Sequence, residues 1–242
     1  MELKNYATVQ FQLLKRHLRR YGKSPDTETL HKIRVEIKKI KAILTLINTG
    51  VKRFNAHKNY VPLRNIFRKA GKIREPELIY GLLLRYEIGG IPDSMIPQSI
   101  HEASLSKEFQ ESIPSFINII EAHEKKIEKN IHKIRQKDIE KFIKKQKEEF
   151  NLHLQSKWNR GTLHKARKVA KVIIYLSALT KKTKKDLDPF YDKIQAAIGL
   201  WHDKQLLMPI MKENNSPKLG CLRRESSRER NKIKELVSEY CS

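Results

Sequence analysis

The sequence predicts an all-α fold, and three observations carry that prediction. Between turn signals, apolar residues recur at three- and four-residue intervals, the period of an amphipathic helix. No run alternates apolar and polar residues between hairpin turns, so strands are not expected. The turn signals are short clusters of Gly, Pro, Asn, Asp and Ser, and short connections favour antiparallel helices packed as bundles. At 242 residues the chain is long enough for a sizeable core, as one domain or as two packed halves.

The first helix is expected over residues 6 to 20, with Val9, Phe11, Leu14 and Leu18 apolar and Lys15, Arg16, Arg19 and Arg20 basic. Gly22, Ser24, Pro25 and Asp26 punctuate it. The stretch from Thr29 to Ile47 follows, and the rest of the chain is organised around it. At about 100° per residue, Leu30, Ile33, Ile37, Ile40 and Leu44 share one side, and His31, Arg34, Lys38 and Lys41 share the adjoining flank. Thr27 or Thr29 can cap this helix, and Asn48, Thr49 and Gly50 stop it. A third helix, 59 to 72, turns Leu63, Ile66, Phe67 and Ala70 inward and Arg64, Arg68 and Lys72 outward, ending at Gly71. Arg74, Glu75 and Pro76 then lead into a short helix, 77 to 88, closed by Gly89 and Gly90.

The Pro- and Ser-rich stretch 91 to 114 reads as the junction between halves. From Ser115 to about Trp158 runs a polar tract with spaced apolar residues, expected to form two helices meeting near Gln136 to Asp138. Asn159, Arg160 and Gly161 introduce a second helix of the organising kind, Thr162 to Thr180. Asp188 and Pro189 start a helix that ends at Gly199, and residues 203 to 213 make a short one. Asn214, Asn215, Ser216, Pro217 and Gly220 form a loop before a closing basic helix, 221 to 240.

Thr162 to Thr180 repeats Thr, Leu, His, Lys, Arg, Lys, Ile and Leu in the slots they occupy from Thr29 onward. A second pair of segments repeats in the same order. Gly71-Lys72-Ile73-Arg74-Glu75 with Leu78-Ile79 beyond it matches Gly199-Leu200-Trp201-His202-Asp203 with Leu206-Leu207 beyond it. Two ordered matches make a tandem repeat.

The formal net charge is +24 and the pI about 10.0, so the chain repels itself unless something anionic neutralises it. Nucleic acid, an acidic membrane surface and inorganic phosphate polymers are all partners of the right sign. Cys221 and Cys241 have no disulfide-framework spacing, which suits a reducing cytoplasm. The first residues lack a signal-peptide core, and no run approaches the roughly 18 apolar residues of a membrane span. The expectation is a soluble, intracellular protein without a membrane partner.

His31-x-x-Arg34-x-x-x-Lys38-Lys39-Ile40-Lys41 and His164-x-x-Arg167-x-x-x-Lys171-x-x-x-Tyr175 resemble the signature helices of the CHAD family, the conserved histidine α-helical domain. Gly71-x-x-Arg74-Glu75 and Gly199-x-x-His202-Asp203 resemble the Gly-x-x-Arg-Asp step of that family. The resemblance runs from about residue 6 to 240. It implies a single CHAD-like domain over 1–242, with a first helical half, 1–100, and a second, 101–242. It further implies two pseudo-twofold-related four-helix bundles with a basic groove between them, and binding of inorganic polyphosphate without catalysis. Carried over position by position, it makes His31, Arg34, Lys38, Lys39, Lys41, Arg74, His164, Arg167, Lys171, Tyr175 and His202 the polyphosphate-binding residues. The cytoplasm, at polyphosphate granules, is the implied location. The chain departs from the pattern at Val172 and Ile174, which replace Lys39 and Lys41, at Glu75 in place of Asp, and at His202 in place of Arg. The first half is therefore expected to make more of the phosphate contacts.

The residue chemistry suits that ligand. Arg34, Lys38 and Lys41 stack like charges at helical spacing, at about 0.2–0.5 kcal/mol per pair, where a merely solvated face mixes signs. Arginine offers a planar fork for phosphate and lysine a movable point charge. His31 and His164 sit in the N-terminal turns of their helices, where the dipole favours an anion; each alone reads equally as a packed or capping histidine. An imidazole beside phosphate holds its proton more firmly, so binding should tighten as pH falls through the histidine range. Tyr175 reads either as a hydroxyl donor to the anion or as a buried aromatic. Glu75 and Asp203 read as ion-pair partners that hold basic side chains. His123 and His132 lack a carboxylate at ligand spacing, so no metal site is expected there, and no phosphate-binding Gly-rich loop or Mg²⁺-collecting acidic cluster is present. Neither cofactor nor enzyme activity is expected. The alternative is a sequence-nonspecific nucleic-acid-binding protein, since a chain this basic binds DNA or RNA phosphates incidentally.

Overall fold

The computed structural model describes residues 2–86, 99–180 and 189–241, in which eight α-helices and no strand occur. They are α1 (Leu3–Lys23), α2 (Thr27–Gly50), α3 (Ala56–Arg85), α4 (Ser99–Ile131), α5 (Gln136–Gln155), α6 (Arg160–Ser177), α7 (Pro189–Glu213) and α8 (Leu219–Cys241). The all-α expectation therefore holds. None of these helices is long and apolar enough to cross a membrane.

Packing divides the chain into two compact units, Met1–Leu78 with Ser94–Phe142 and Ile79–Asp93 with Ile143–Ser242. The division at residue 100 follows the repeat in chain order, whereas these units follow contact, and the first takes in α4 because α4 packs on α1. Residues 87–98, which include Gly89, Gly90 and the start of the expected junction, lie outside the described residues. From Ser99 onward the stretch read as junction is helix. Phe109 and Ile113 there, continued by Phe116 and Ile120 beyond it, recur at helical spacing and are buried, and that burial outweighs the Ser and Pro composition.

In the first unit, α1 buries Phe11, Leu14, Leu18 and Tyr21 and packs on both α2 and α4. Tyr21 meets Phe109 edge-on with centroids 5.4 Å apart, and its hydroxyl lies 2.8 Å from Ser106 Oγ. Carboxylates of α4 neutralise nearby lysines: Glu124 lies 2.7 Å from Lys15, Glu128 2.9 Å from Lys4, and Glu108 2.7 Å from Lys69 of α3. In the second unit, Phe150, Leu163, Ala166, Ile173, Tyr191, Ile194, Ile198 and Ile233 form one apolar cluster drawn from α5, α6, α7 and α8. Phe190 stacks on Tyr240 at 4.0 Å, closing α7 onto α8.

Two boundaries differ from expectation in an informative way. Asp26, rather than Thr27 or Thr29, caps α2, its carboxylate accepting from the Thr29 amide at 2.6 Å. Neither Gly71 nor Gly199 ends a helix: α3 continues through Gly71 and Pro76, and α7 continues through Gly199. The four helices read around these glycines are therefore two. The expected break in the long tract is present at 132–135, just before α5. Asn159 caps α6 in a reciprocal capping box with Thr162. α7 closes at Asn215, whose φ of 49° is the left-handed conformation asparagine tolerates, with the Ser216 amide donating back to Met211 O at 2.9 Å.

Candidate functional site

The reason α3 passes through Gly71 lies on α2. Arg34, one turn beyond His31, reaches across so that its Nη1 donates to Phe67 O at 3.1 Å and its Nη2 to Glu75 Oε1 at 3.3 Å. The guanidinium stacks on the Phe67 ring, 4.1 Å from its centroid. A Cβ on Gly71 would collide with Arg34 Nη1 and lie 3.1 Å from Cζ, so glycine is what lets the arginine lie against the helix. The second unit repeats the arrangement. A Cβ on Gly199 would lie 2.6 Å from Arg167 Nη2 and 3.0 Å from Cζ. Two motifs that are separate in sequence thus meet in space, twice, as an arginine seated on a glycine.

Around Arg34 stand others of the expected residues. Lys38, one turn on, has its Nζ 5.6 Å from the Phe67 centroid, and Lys41 has its Nζ 4.8 Å from that of Tyr60. Arg74 is close enough to oppose the charge of Arg34, while Glu75 supports it; burial is the largest influence and pushes the Arg34 guanidinium down. The ion-pair role expected of Glu75 is realised here. Lys39 stands elsewhere, its Nζ 2.9 Å from buried Glu36, where its charge contributes to holding down His17 of α1. His31 is partly buried in the first turns of α2.

In the second unit, His164 of α6 and His202 of α7 stack with ring centroids 5.2 Å apart at 30°. The Nδ1 atoms of both are buried without a hydrogen-bond partner in the protein, as is Nε of Arg167. Burial and then Lys168, His202, Arg167 and Arg160 push His164 down to about 4. His202 is lowered too, by burial and by Arg160 and Arg167. Lys171 falls to about 8, by burial and by Arg167, with Asp203 opposing both. Asp203 also supports Arg167, and Tyr175 lies near enough to do the same. Asp203 thus acts electrostatically as the Glu75 of this unit. Burial first, and neighbouring cations second, disfavour the charged forms here, and an arriving anion would relieve the second.

The first unit also holds residues that the sequence reading left outside the site. Tyr60, Arg64 and Arg68 follow one another at four-residue spacing on α3 and line an open cleft of about 440 Å³ with Lys41 and Phe67. That spacing was visible in the sequence. Phe67 was expected to face inward; it is only partly buried, because Arg34 and Lys38 lie over its ring. Among the described residues, no group of three or more His, Cys, Asp or Glu is gathered as a metal site would require.

No protein-family model and no curated protein matches the chain. Among solved structures, the chain is similar to the crystal structure of the CHAD domain from the plant Ricinus communis, with a TM-score of 0.67 and 10% identity over 100% of this chain and 87% of that one. At that identity the likeness is one of fold: the chain has the fold of a CHAD domain, as its histidine and glycine motifs anticipated.

Proposed function

We propose that this chain of CHAD fold binds inorganic polyphosphate, gripping the polymer through the basic rows of α2 and α6 and catalysing nothing. The observation that carries the reading is the doubled constellation. In each unit a motif arginine is seated on a motif glycine, with a motif lysine one turn along the same helix. The seat fixes the guanidinium, so little side-chain freedom is lost when phosphate arrives, and the lysines adapt to a flexible chain. Such an arrangement recognises repeating charge and reads no sequence. The first unit, with Lys41 on its row and Arg64 and Arg68 beside it, makes more of the contacts. The cytoplasm is the compartment in which this ligand would be met.

Competition at about 0.15 M salt, a physiological ionic strength, separates this from incidental nucleic-acid binding. Long-chain polyphosphate is titrated against duplex DNA and tRNA, with wild type and with Lys38→Ala/Lys41→Ala/Lys171→Ala. Polyphosphate is expected to win by more than about tenfold, a difference of about 1.4 kcal/mol, and the variant to lose that preference. Equal competition, unaltered in the variant, would transfer the reading to a nonspecific nucleic-acid binder.

A further inference from the structure

Helix α8 sorts its charges by sign. Its first two carboxylates turn inward: Glu225 accepts from the Tyr86 hydroxyl at 3.1 Å, and Glu229 Oε1 lies 3.2 Å from the ammonium of buried Lys204. Its cations face solvent. Arg224, Arg228 and Lys232 stand at four-residue intervals, about 6 Å apart along the helix, and all three are exposed. Among the described residues, none of the three makes an ion pair. Like charges at this spacing repel one another, so the row is not there for the helix's own sake. Exposed charge is common on a chain this basic, and α5 shows its ordinary form: Lys141, Lys144 and Lys145 are exposed beside Glu140, Glu148 and Glu149, so both signs share one face. On α8 no exposed carboxylate precedes Glu235, beyond the end of the row.

The row is also distinct from the one on α6. Arg230 reaches the start of α6, its Nη2 donating to Trp158 O at 3.4 Å. At about 100° per residue, Arg228 and Lys232 point about 160° away from Arg230, so the row looks out from another side of the second unit. That side offers charge and little else. No large hydrophobic side chain is exposed on α8, and its aromatic ring, that of Tyr240, is stacked on Phe190. A nucleic-acid base or an apolar partner finds nothing to pack on here. A flexible strand that carries charge on every unit gains at each cation.

We propose that the exposed row Arg224, Arg228 and Lys232 is a second docking surface for inorganic polyphosphate, through which one molecule joins two strands or two stretches of one strand. The proposal rests on the polymer reading and deepens it: a stretch held on the row of α2 or α6 leaves α8 open to another, so the protein cross-links the polymer that it binds.

Light scattering is followed at about 0.15 M salt while long-chain polyphosphate is added, and calorimetry reads the affinity of the same preparations. Wild type is compared with Arg224→Gln/Arg228→Gln/Lys232→Gln and with Lys141→Gln/Lys144→Gln/Lys145→Gln, which removes the same charge from α5; glutamine suits both helices. Two separate surfaces give scattering that rises to a maximum and falls again in excess polymer, when each surface takes its own strand and the bridges dissolve. Wild type and the α5 variant should show that maximum. The α8 variant should lose it while its tighter affinity stays within about twofold of wild type, the latitude of independent sites. No maximum in wild type, its survival in the α8 variant, or its equal loss in the α5 variant overturns the proposal. So does a maximum that duplex DNA produces through α8 and polyphosphate does not, which would give the face to nucleic acid. Calorimetry separates the failures: a wild type that binds polyphosphate without bridging loses only the α8 surface, and one that does not bind it loses the polymer reading as well.

Discussion

His164 shows how a single residue reports on the site around it. Its folded-state pKa of about 4 lies below the ordinary 6.5, because burial and four neighbouring basic groups disfavour the imidazolium. Between those two values the unfolded chain binds more protons than the folded one. Stability from this residue is thus fully present above about pH 6.5 and is lost as pH falls toward 4. A bound polyanion reverses the electrostatic part and raises the folded-state pKa, so affinity must rise as pH falls through the interval between the free and bound values. Simple sequence reasoning put that interval in the ordinary histidine range; burial, and after it Lys168, the stacked partner His202, Arg167 and Arg160, shift its lower end to about 4. NMR titration of the imidazole should find His164 near pH 4 in the free protein and distinctly higher with saturating polyphosphate. A free-protein value at or above 6.5 would mean that the surrounding cations do not press on this ring. The stacked partner was out of reach of sequence reading, since the residues lie 38 apart and their encounter depends on how α6 packs on α7.

At the scale of elements, the glycines were legible and their purpose was not. Gly71 followed by Pro76, and Gly199 before a charged pair, have the composition of helix ends, and α3 and α7 nevertheless continue through them. A glycine inside a helix costs about 0.5–1 kcal/mol relative to alanine. Here that cost makes room for an arginine from another helix, a long-range requirement with no local signature. The helical period, by contrast, is a local property, and so the apolar row of α2 could be read residue by residue, including Ile33, Ile37 and Ile40 at essentially no exposure, and that of α1 at Phe11, Leu14 and Leu18, whereas Val9 lies off the buried face and is exposed. The seat makes a prediction for a thermodynamic cycle. Gly71→Ala alone should destabilise the protein or leave it unchanged, because displacing the Arg34 guanidinium sacrifices its bonds to Phe67 O and Glu75. In an Arg34→Ala background the same change should stabilise by about 0.5–1 kcal/mol. The coupling, about 1 kcal/mol or more by denaturant unfolding, is what the seat contributes. Additive effects would show that Gly71 and Arg34 are merely neighbours.

Charge governs the whole molecule, and it separates two responses to salt. A net +24 works against compactness, and ion pairs that offset it in the first unit include those of Lys4, Lys15, Lys39, Lys69 and Arg34. Salt screens the remaining repulsion, so the melting temperature of the ligand-free protein should rise between 50 and 500 mM salt, a range of about 14 to 4 Å in Debye length. The proposed binding of polyphosphate would have the opposite dependence, because each cation that neutralises a phosphate releases a counterion. With Arg34, Lys38, Lys41, Arg64 and Arg68 of the first unit and Arg167 and Lys171 of the second engaged, the coefficient for single-stranded polyanions gives a slope of log affinity against log salt of about −5. Stabilisation by a fixed concentration of polyphosphate, which is about 2.7 kcal/mol at 100 times the dissociation constant, should therefore shrink as salt increases. The two melting curves, with and without polymer, must converge from opposite directions as salt rises. A ligand-free curve that falls alongside the other would mean that self-repulsion is not what the polymer relieves. A slope near zero would mean that the basic rows are not where it binds. Measuring both curves on one preparation keeps these failures apart, since the first tests the charge of the chain and the second tests its use.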